Sequence, residues 1–155
     1  MSVAAKSSAR PRRTATVAWR ARVRRASLAV LVLLLVEYAI GMYVNLYVAV
    51  PRADHGGGLG EAISNGPAAL GAHAVLGLLL GLGALSVLVQ AAIVRHWALT
   101  ALSAAGLFAM AFAAVTGISF TSTGDSADSM AMSVMTGVAL VCYAASLYVL
   151  ARTPK

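Results

Sequence analysis

Charged residues are scarce in this chain of 155 residues: they make up 11% of it, and only five of the residues are acidic. Soluble domains carry about 25% charged and about 45–50% apolar residues. Here the hydrophobic share is 60% and the mean hydropathy is +0.83. A chain of this length cannot enclose so much apolar surface in a water-exposed globule. The composition excludes a soluble enzyme and a disordered chain, and it indicates an integral membrane protein.

Cysteine is almost absent, since Cys142 is the single one in the sequence. One cysteine excludes an intramolecular disulfide, and with it a disulfide-stapled secreted domain. The sequence also lacks a CxxC pair, an HExxH zinc motif, a Walker A loop and a dinucleotide-binding glycine pattern. No residue is therefore assigned a catalytic role, and a non-enzymatic protein is favoured over an enzyme.

Long apolar runs are what the sequence has in abundance. Each is longer than the roughly 20 residues that a helix needs to cross hydrocarbon. They predict an all-α fold, an antiparallel four-helix transmembrane bundle over residues 26–151, preceded by a disordered basic tail over residues 1–25. The predicted helices cover residues 26–50, 68–94, 97–120 and 127–151.

The basic residues are concentrated on one side of the predicted bundle. Eight of the twelve precede residue 26, and with four spans Arg95 and Arg152 fall on the same side as that tail. The positive-inside rule therefore predicts a multi-pass protein of the inner (plasma) membrane with both termini in the cytoplasm. Besides the lipid bilayer itself, we expect anionic lipids to contact the basic tail. We expect no nucleic-acid partner.

Glu37 lies near mid-depth of the first run, where an ionisable group is costly and is a functional candidate. A helical period places it on one face with Gly41 and Asn45. Two interpretations stay open. Glu37 is a protonated or hydrogen-bonded carboxyl that joins helices, or it is the proton or cation site of a transporter or channel component. No second ionisable group is expected at its depth.

His73 lies one to two turns inside the outer end of the second run. Its face continues through Gly77 and Gly81, a GxxxG pair of the kind that allows close helix packing. In one interpretation, His73 packs between helices and is hydrogen-bonded to Asn45 at similar depth. In the other, the small residues leave room for a cofactor that His73 ligates.

Three methionines, Met130, Met132 and Met135, stand in the first part of the fourth run. Methionine often fills irregular cores, so packing is one explanation of this pattern. Together with His73, a methionine sulfur is also a ligand for the iron of haem b or for Cu(I). A membrane redox protein that binds haem or copper through His73 and a methionine is therefore an alternative function.

Several short motifs carry a resemblance to a known group of proteins. The sequence reads G-M-Y-V-N-L over residues 41–46, His-x-x-x-Gly from His73, and Ser-Met-Ala-Met over residues 129–132, with a proline-led, glycine-rich loop from Pro51. In these motifs the chain resembles uncharacterised four-span integral membrane proteins of GC-rich bacteria. This resemblance covers about residues 30–150 and implies the four-helix architecture, but no activity. A weaker likeness is to four-helix b-type cytochromes, which hold haem between helices.

These observations leave three functions in different classes. The favoured one is a small accessory or helix-packing subunit, acting with a membrane-protein partner or as a homo-oligomer. The alternatives are the haem or copper redox protein and a proton-linked transporter or channel component that uses Glu37.

Overall fold

A computed structural model describes residues 10–48, 60, 64 and 66–152, with side chains from residue 18 onward. These residues form four α-helices and no strand, which confirms the predicted all-α bundle. All four helices are long and apolar enough to span a membrane, so the protein is a multi-pass membrane protein. The helices are α1 (Arg10–Tyr47), α2 (Ala68–Val94), α3 (Trp97–Thr123) and α4 (Ser126–Arg152).

Helix α1 begins at Arg10, well before the predicted boundary at residue 26. Residues 10–25 are helical in the structure where a disordered tail was predicted, and residues 1–9 lie outside the described part. Pro11 falls in the first turn, where a missing N–H is tolerated. The residues that follow are rich in alanine and arginine, which are good helix formers, and contain neither proline nor glycine up to Gly41.

The turns between α2, α3 and α4 are short and well defined. Arg95 ends α2 in the left-handed conformation (φ 55°) and donates its N–H to Ala92 O. Gly124 ends α3 in the same way (φ 66°), with its N–H on Phe120 O. Asp125 then caps α4, because its Oδ1 accepts the N–H of Ala127 at 2.9 Å. Such short links make these three helices consecutive antiparallel neighbours.

The helices are arranged as a ring. In the described part of the chain, α1 contacts α2 and α4, and α3 contacts the same two helices, whereas α1 and α3 do not touch. The end at which α1 and α3 finish is called the distal end below. The shared core is mostly apolar and comprises Val30, Leu34, Leu80, Ala84, Val87, Ala109, Ala139 and Tyr143.

The buried residues of α1 follow a spacing of three and four, as one face of a helix requires. This stripe passes through Val30 and Leu34 to Glu37 and on to Val44. Glu37 therefore faces the neighbouring helices and not the surrounding lipid. Large apolar side chains such as Leu78 and Phe108 cover the outside of the bundle, where a bilayer would contact them.

Tyr143 is the largest fully buried side chain of the core. Its ring lies directly over Gly106 of α3, so that a Cβ atom placed on Gly106 would be 2.9 Å from Cε2 of Tyr143. The missing side chain at Gly106 thus lets α3 and α4 approach closely around this ring.

Candidate functional site

Glu37 and His73 meet in the distal half of the bundle. Oε1 of Glu37 on α1 lies 2.9 Å from Nδ1 of His73 on α2. The Glu37 side chain is 9% exposed and that of His73 is 24% exposed. The expectation that no second ionisable group lies at the depth of Glu37 is therefore wrong. The two ionisable residues that were singled out within the predicted spans, Glu37 and His73, form one pair.

The geometry of this pair leaves polar atoms in need of partners. Although the two atoms are within ion-pair distance, Nδ1 of His73 has no hydrogen-bond partner among the described residues. The same is true of Oε2 of Glu37. An ionised carboxylate only accepts hydrogen bonds, and an unprotonated Nδ1 does the same. A separation of 2.9 Å between two such acceptors therefore requires a proton on one of them.

Two glycines make room for the pair. A Cβ atom at Gly41 of α1 would lie 3.0 Å from Cε1 of His73, and one at Gly77 of α2 would lie 3.2 Å from Oε1 of Glu37. Each helix thus has a glycine where the ionisable side chain of the other helix approaches. Gly81, the second member of the GxxxG pair, has no atom within 4 Å of its Cβ position. The close approach is made at Gly77.

A small cavity of about 30 Å³ adjoins the pair. This is more than the roughly 10–15 Å³ that one water needs, and far less than the roughly 300–1,000 Å³ of pockets for organic ligands. The cavity therefore has room for water or a small ion but none for a haem. Its lining residues are Glu37, Tyr38, Gly41, Met42, Asn45, His73, Met132, Ser133 and Thr136.

Asn45 lines this cavity and has a different partner from the one predicted. Its Oδ1 accepts the hydroxyl of Ser129 on α4 at 3.0 Å, and His73 pairs with Glu37 instead. The predicted His73–Asn45 hydrogen bond is therefore wrong. The Asn45–Ser129 bond fastens α1 to α4 on the distal side of the cavity.

The three candidate methionine ligands are not brought together. Met132 lines the cavity, with its sulfur 3.1 Å from the Cβ position of Gly117 on α3. Met135 packs against the apolar core, and Met130 is 70% exposed. Among the described residues, no group of three or more His, Cys, Asp or Glu side chains is placed to hold a metal ion. Of the methionines in the described part of the chain, only Met42 and Met132 line the cavity together with His73.

Two hydroxyl residues of α4, Ser133 and Thr136, belong to the site but were not predicted. Thr136 donates its hydroxyl proton to Met132 O at 2.8 Å, so its oxygen keeps free lone pairs. The spacing of Ser129, Ser133 and Thr136 by four and three residues places them on one face of α4. This pattern is the signal from which they could have been found.

A second polar cluster closes the distal end of α3 and α4. Oδ2 of Asp128 accepts the hydroxyls of Ser119 at 2.7 Å and of Thr123 at 3.1 Å. Both hydrogen bonds run between α3 and α4, so this carboxylate joins the two helices, and Asp128 does not line the Glu37 cavity.

No protein-family model, no curated protein and no solved structure matches this chain. Function is therefore inferred from the site itself.

Proposed function

We propose that this protein is a proton-linked membrane protein, a transporter or channel component in which Glu37 and His73 take up and release a proton. The observation that carries the proposal is the 2.9 Å contact between Glu37 and His73 inside the bundle. Intramembrane carboxylate and imidazole groups that pair with one another mark proton relays and ion pathways.

The chemistry of the two groups supports this role. A carboxyl and an imidazole can each bind and release a proton, and Oε1 of Glu37 lies within reach of Nδ1 of His73. The adjoining cavity is large enough for a water molecule beside them.

Helix packing alone gives a weaker account of the same site. A well-packed apolar pair of similar volume generally stabilises a protein as well as a buried ion pair does. An accessory subunit that acts only through packing therefore has no need of Glu37, His73 and a polar cavity. The small size of the cavity also disfavours the haem alternative, because a haem has no room between the helices as they are packed.

Proton flux into liposomes tests this function. The purified protein is reconstituted with a pH-sensitive dye inside the vesicles, and a potassium diffusion potential drives protons inward. We expect Glu37→Gln and His73→Ala each to reduce the protein-dependent flux to the level of empty liposomes. Asp128→Asn is the matched control, because this carboxylate lies outside the pair, and it should keep the flux. A flux that survives Glu37→Gln, or its absence from the unaltered protein, contradicts the proposal.

The orientation in the membrane is a further part of the proposal. We place the protein in the inner (plasma) membrane with both termini in the cytoplasm, which makes the distal end the outer one. The arginines at positions 20, 22, 24 and 25 near the start of the α1 span support this placement, and they suit contact with anionic lipid headgroups. We expect a cysteine introduced at Ser122 to react with a membrane-impermeant reagent in intact cells, and one introduced at Arg95 not to react.

Membership of the four-span group of GC-rich bacteria is also proposed. The motifs that carry the resemblance supply Gly41, Asn45, His73, Gly77 and Met132, all of which touch the pair or line its cavity. Their convergence supports the view that the group shares this site.

A further inference from the structure

Oε2 of Glu37 is one of the buried polar atoms that have no hydrogen-bond partner among the described residues. The Glu37 side chain that carries it is 9% exposed. Leaving a buried carboxylate oxygen without a partner is costly. Because Glu37 lines the cavity, the missing partner is expected to be something that the cavity holds.

The rest of the cavity wall contributes oxygen atoms of Asn45, Ser133 and Thr136. Thr136 has directed its proton to a backbone carbonyl, so its hydroxyl oxygen can accept or coordinate. Oδ1 of Asn45 has a second lone pair beside the one that Ser129 occupies. The hydroxyl of Ser133 completes the set. One carboxylate, one amide oxygen and two hydroxyls are ligands for a hard cation.

The charge of the site limits that cation to a single positive charge. His73 of α2 is the titratable group that faces Glu37 from another helix, while α4 contributes Met132, Ser133 and Thr136, none of which titrates. Tyr38 lies beside Glu37 on α1 itself. One carboxylate neutralises a monovalent ion but leaves a divalent one with uncompensated charge. The 30 Å³ cavity excludes organic cations.

We propose that the cavity binds Na⁺ on Oε2 of Glu37, with Oδ1 of Asn45 and the hydroxyls of Ser133 and Thr136 as its other ligands. The inference rests on the proposed function and names an ion that its site holds. One Na⁺ balances the charge of the Glu37 carboxylate.

Binding of ²²Na⁺ to the purified protein in detergent micelles tests this inference. We expect saturable binding of one ion per chain. Glu37→Gln should weaken binding by at least about tenfold, since it removes the charged ligand.

A second, milder variant keeps the test independent of Glu37. Thr136→Val preserves the shape of the side chain and removes one coordinating oxygen, so we expect about fivefold weaker binding. Thr116→Val is the matched control, because the Thr116 hydroxyl bonds to backbone carbonyls within α3, outside the cavity, and its affinity should be unchanged.

The outcomes separate this inference from the function on which it rests. Glu37-dependent proton flux without saturable Na⁺ binding overturns the sodium site and leaves the proposed function in place. Saturable sodium binding that survives Glu37→Gln overturns the assignment of Glu37 as its ligand. If the protein binds sodium but moves no protons, the proposed function is contradicted and only the sodium site stands.

Discussion

Replacing His73 by alanine is expected to lower the free energy of unfolding by about 3–5 kcal/mol, the cost of removing one partner from a buried ion pair. The loss is large because the carboxylate of Glu37 stays behind, buried, beside a newly emptied space. Either the charge remains uncompensated, or Glu37 takes up a proton at a cost in free energy. Equilibrium unfolding in mixed detergent micelles, followed by circular dichroism, measures the change.

A double variant distinguishes the pair from ordinary packing. Glu37→Leu combined with His73→Leu replaces both groups by apolar side chains, and we expect its stability to return to within about 1 kcal/mol of the unaltered protein. His96→Ala, in the turn between α2 and α3, is the matched histidine control, since no acidic side chain pairs with His96 among the described residues. Equal losses of stability for His73→Ala and His96→Ala would show that the pairing of Glu37 with His73 does not stabilise the fold.

Gly106→Ala is expected to destabilise the fold by about 1–2 kcal/mol. The added methyl group would lie 2.9 Å from Cε2 of Tyr143 and 3.3 Å from Cζ. Because Tyr143 is fully buried, its ring has no free space into which to move, and α3 and α4 must separate. Overpacking of this kind costs about 1–3 kcal/mol. The better helix propensity of alanine offsets up to about 1 kcal/mol of it.

Gly81→Ala provides the control for this second prediction. It makes the same chemical change in the interior of α2, at a position where no atom lies within 4 Å of the added carbon. We expect unchanged or slightly higher stability, measured in the same unfolding assay. Loss of stability at both positions would mean that the glycines act through the backbone and not through close packing at Gly106.

Most of the fold was predictable because it depends on composition and run length. The start and end of α2, at Ala68 and Val94, follow from the proline before it and the charged turn after it. The start of α1 was not predictable in the same way. A polar, arginine-rich segment cannot bury a core, but with no breaking residue it can continue a helix that the next segment has begun.

The site was predicted as separate residues and not as a pair. Glu37 precedes the end of α1 by ten residues, about 15 Å, while His73 follows the start of α2 by five residues, about 8 Å. Depths counted from the ends of the helices therefore place the two groups at different levels. In the structure the two side chains nevertheless meet, and each approaches a glycine of the other helix, Gly41 or Gly77. No periodicity in the sequence reveals these contacts.

The order of synthesis has a consequence for the Glu37–His73 pair. Glu37 emerges from the ribosome 36 residues before His73 and enters the membrane on α1, before α2 exists. Inserting a charged side chain at the centre of a helix costs about 2.5–3.5 kcal/mol, which about six residues such as leucine and valine offset. Residues 28–36 of α1 contain eight leucines and valines, which is more than that number. The apolar stretch over residues 28–36 thus lies directly before Glu37 in the sequence. It favours insertion of α1 into the bilayer before His73 is available to pair with Glu37.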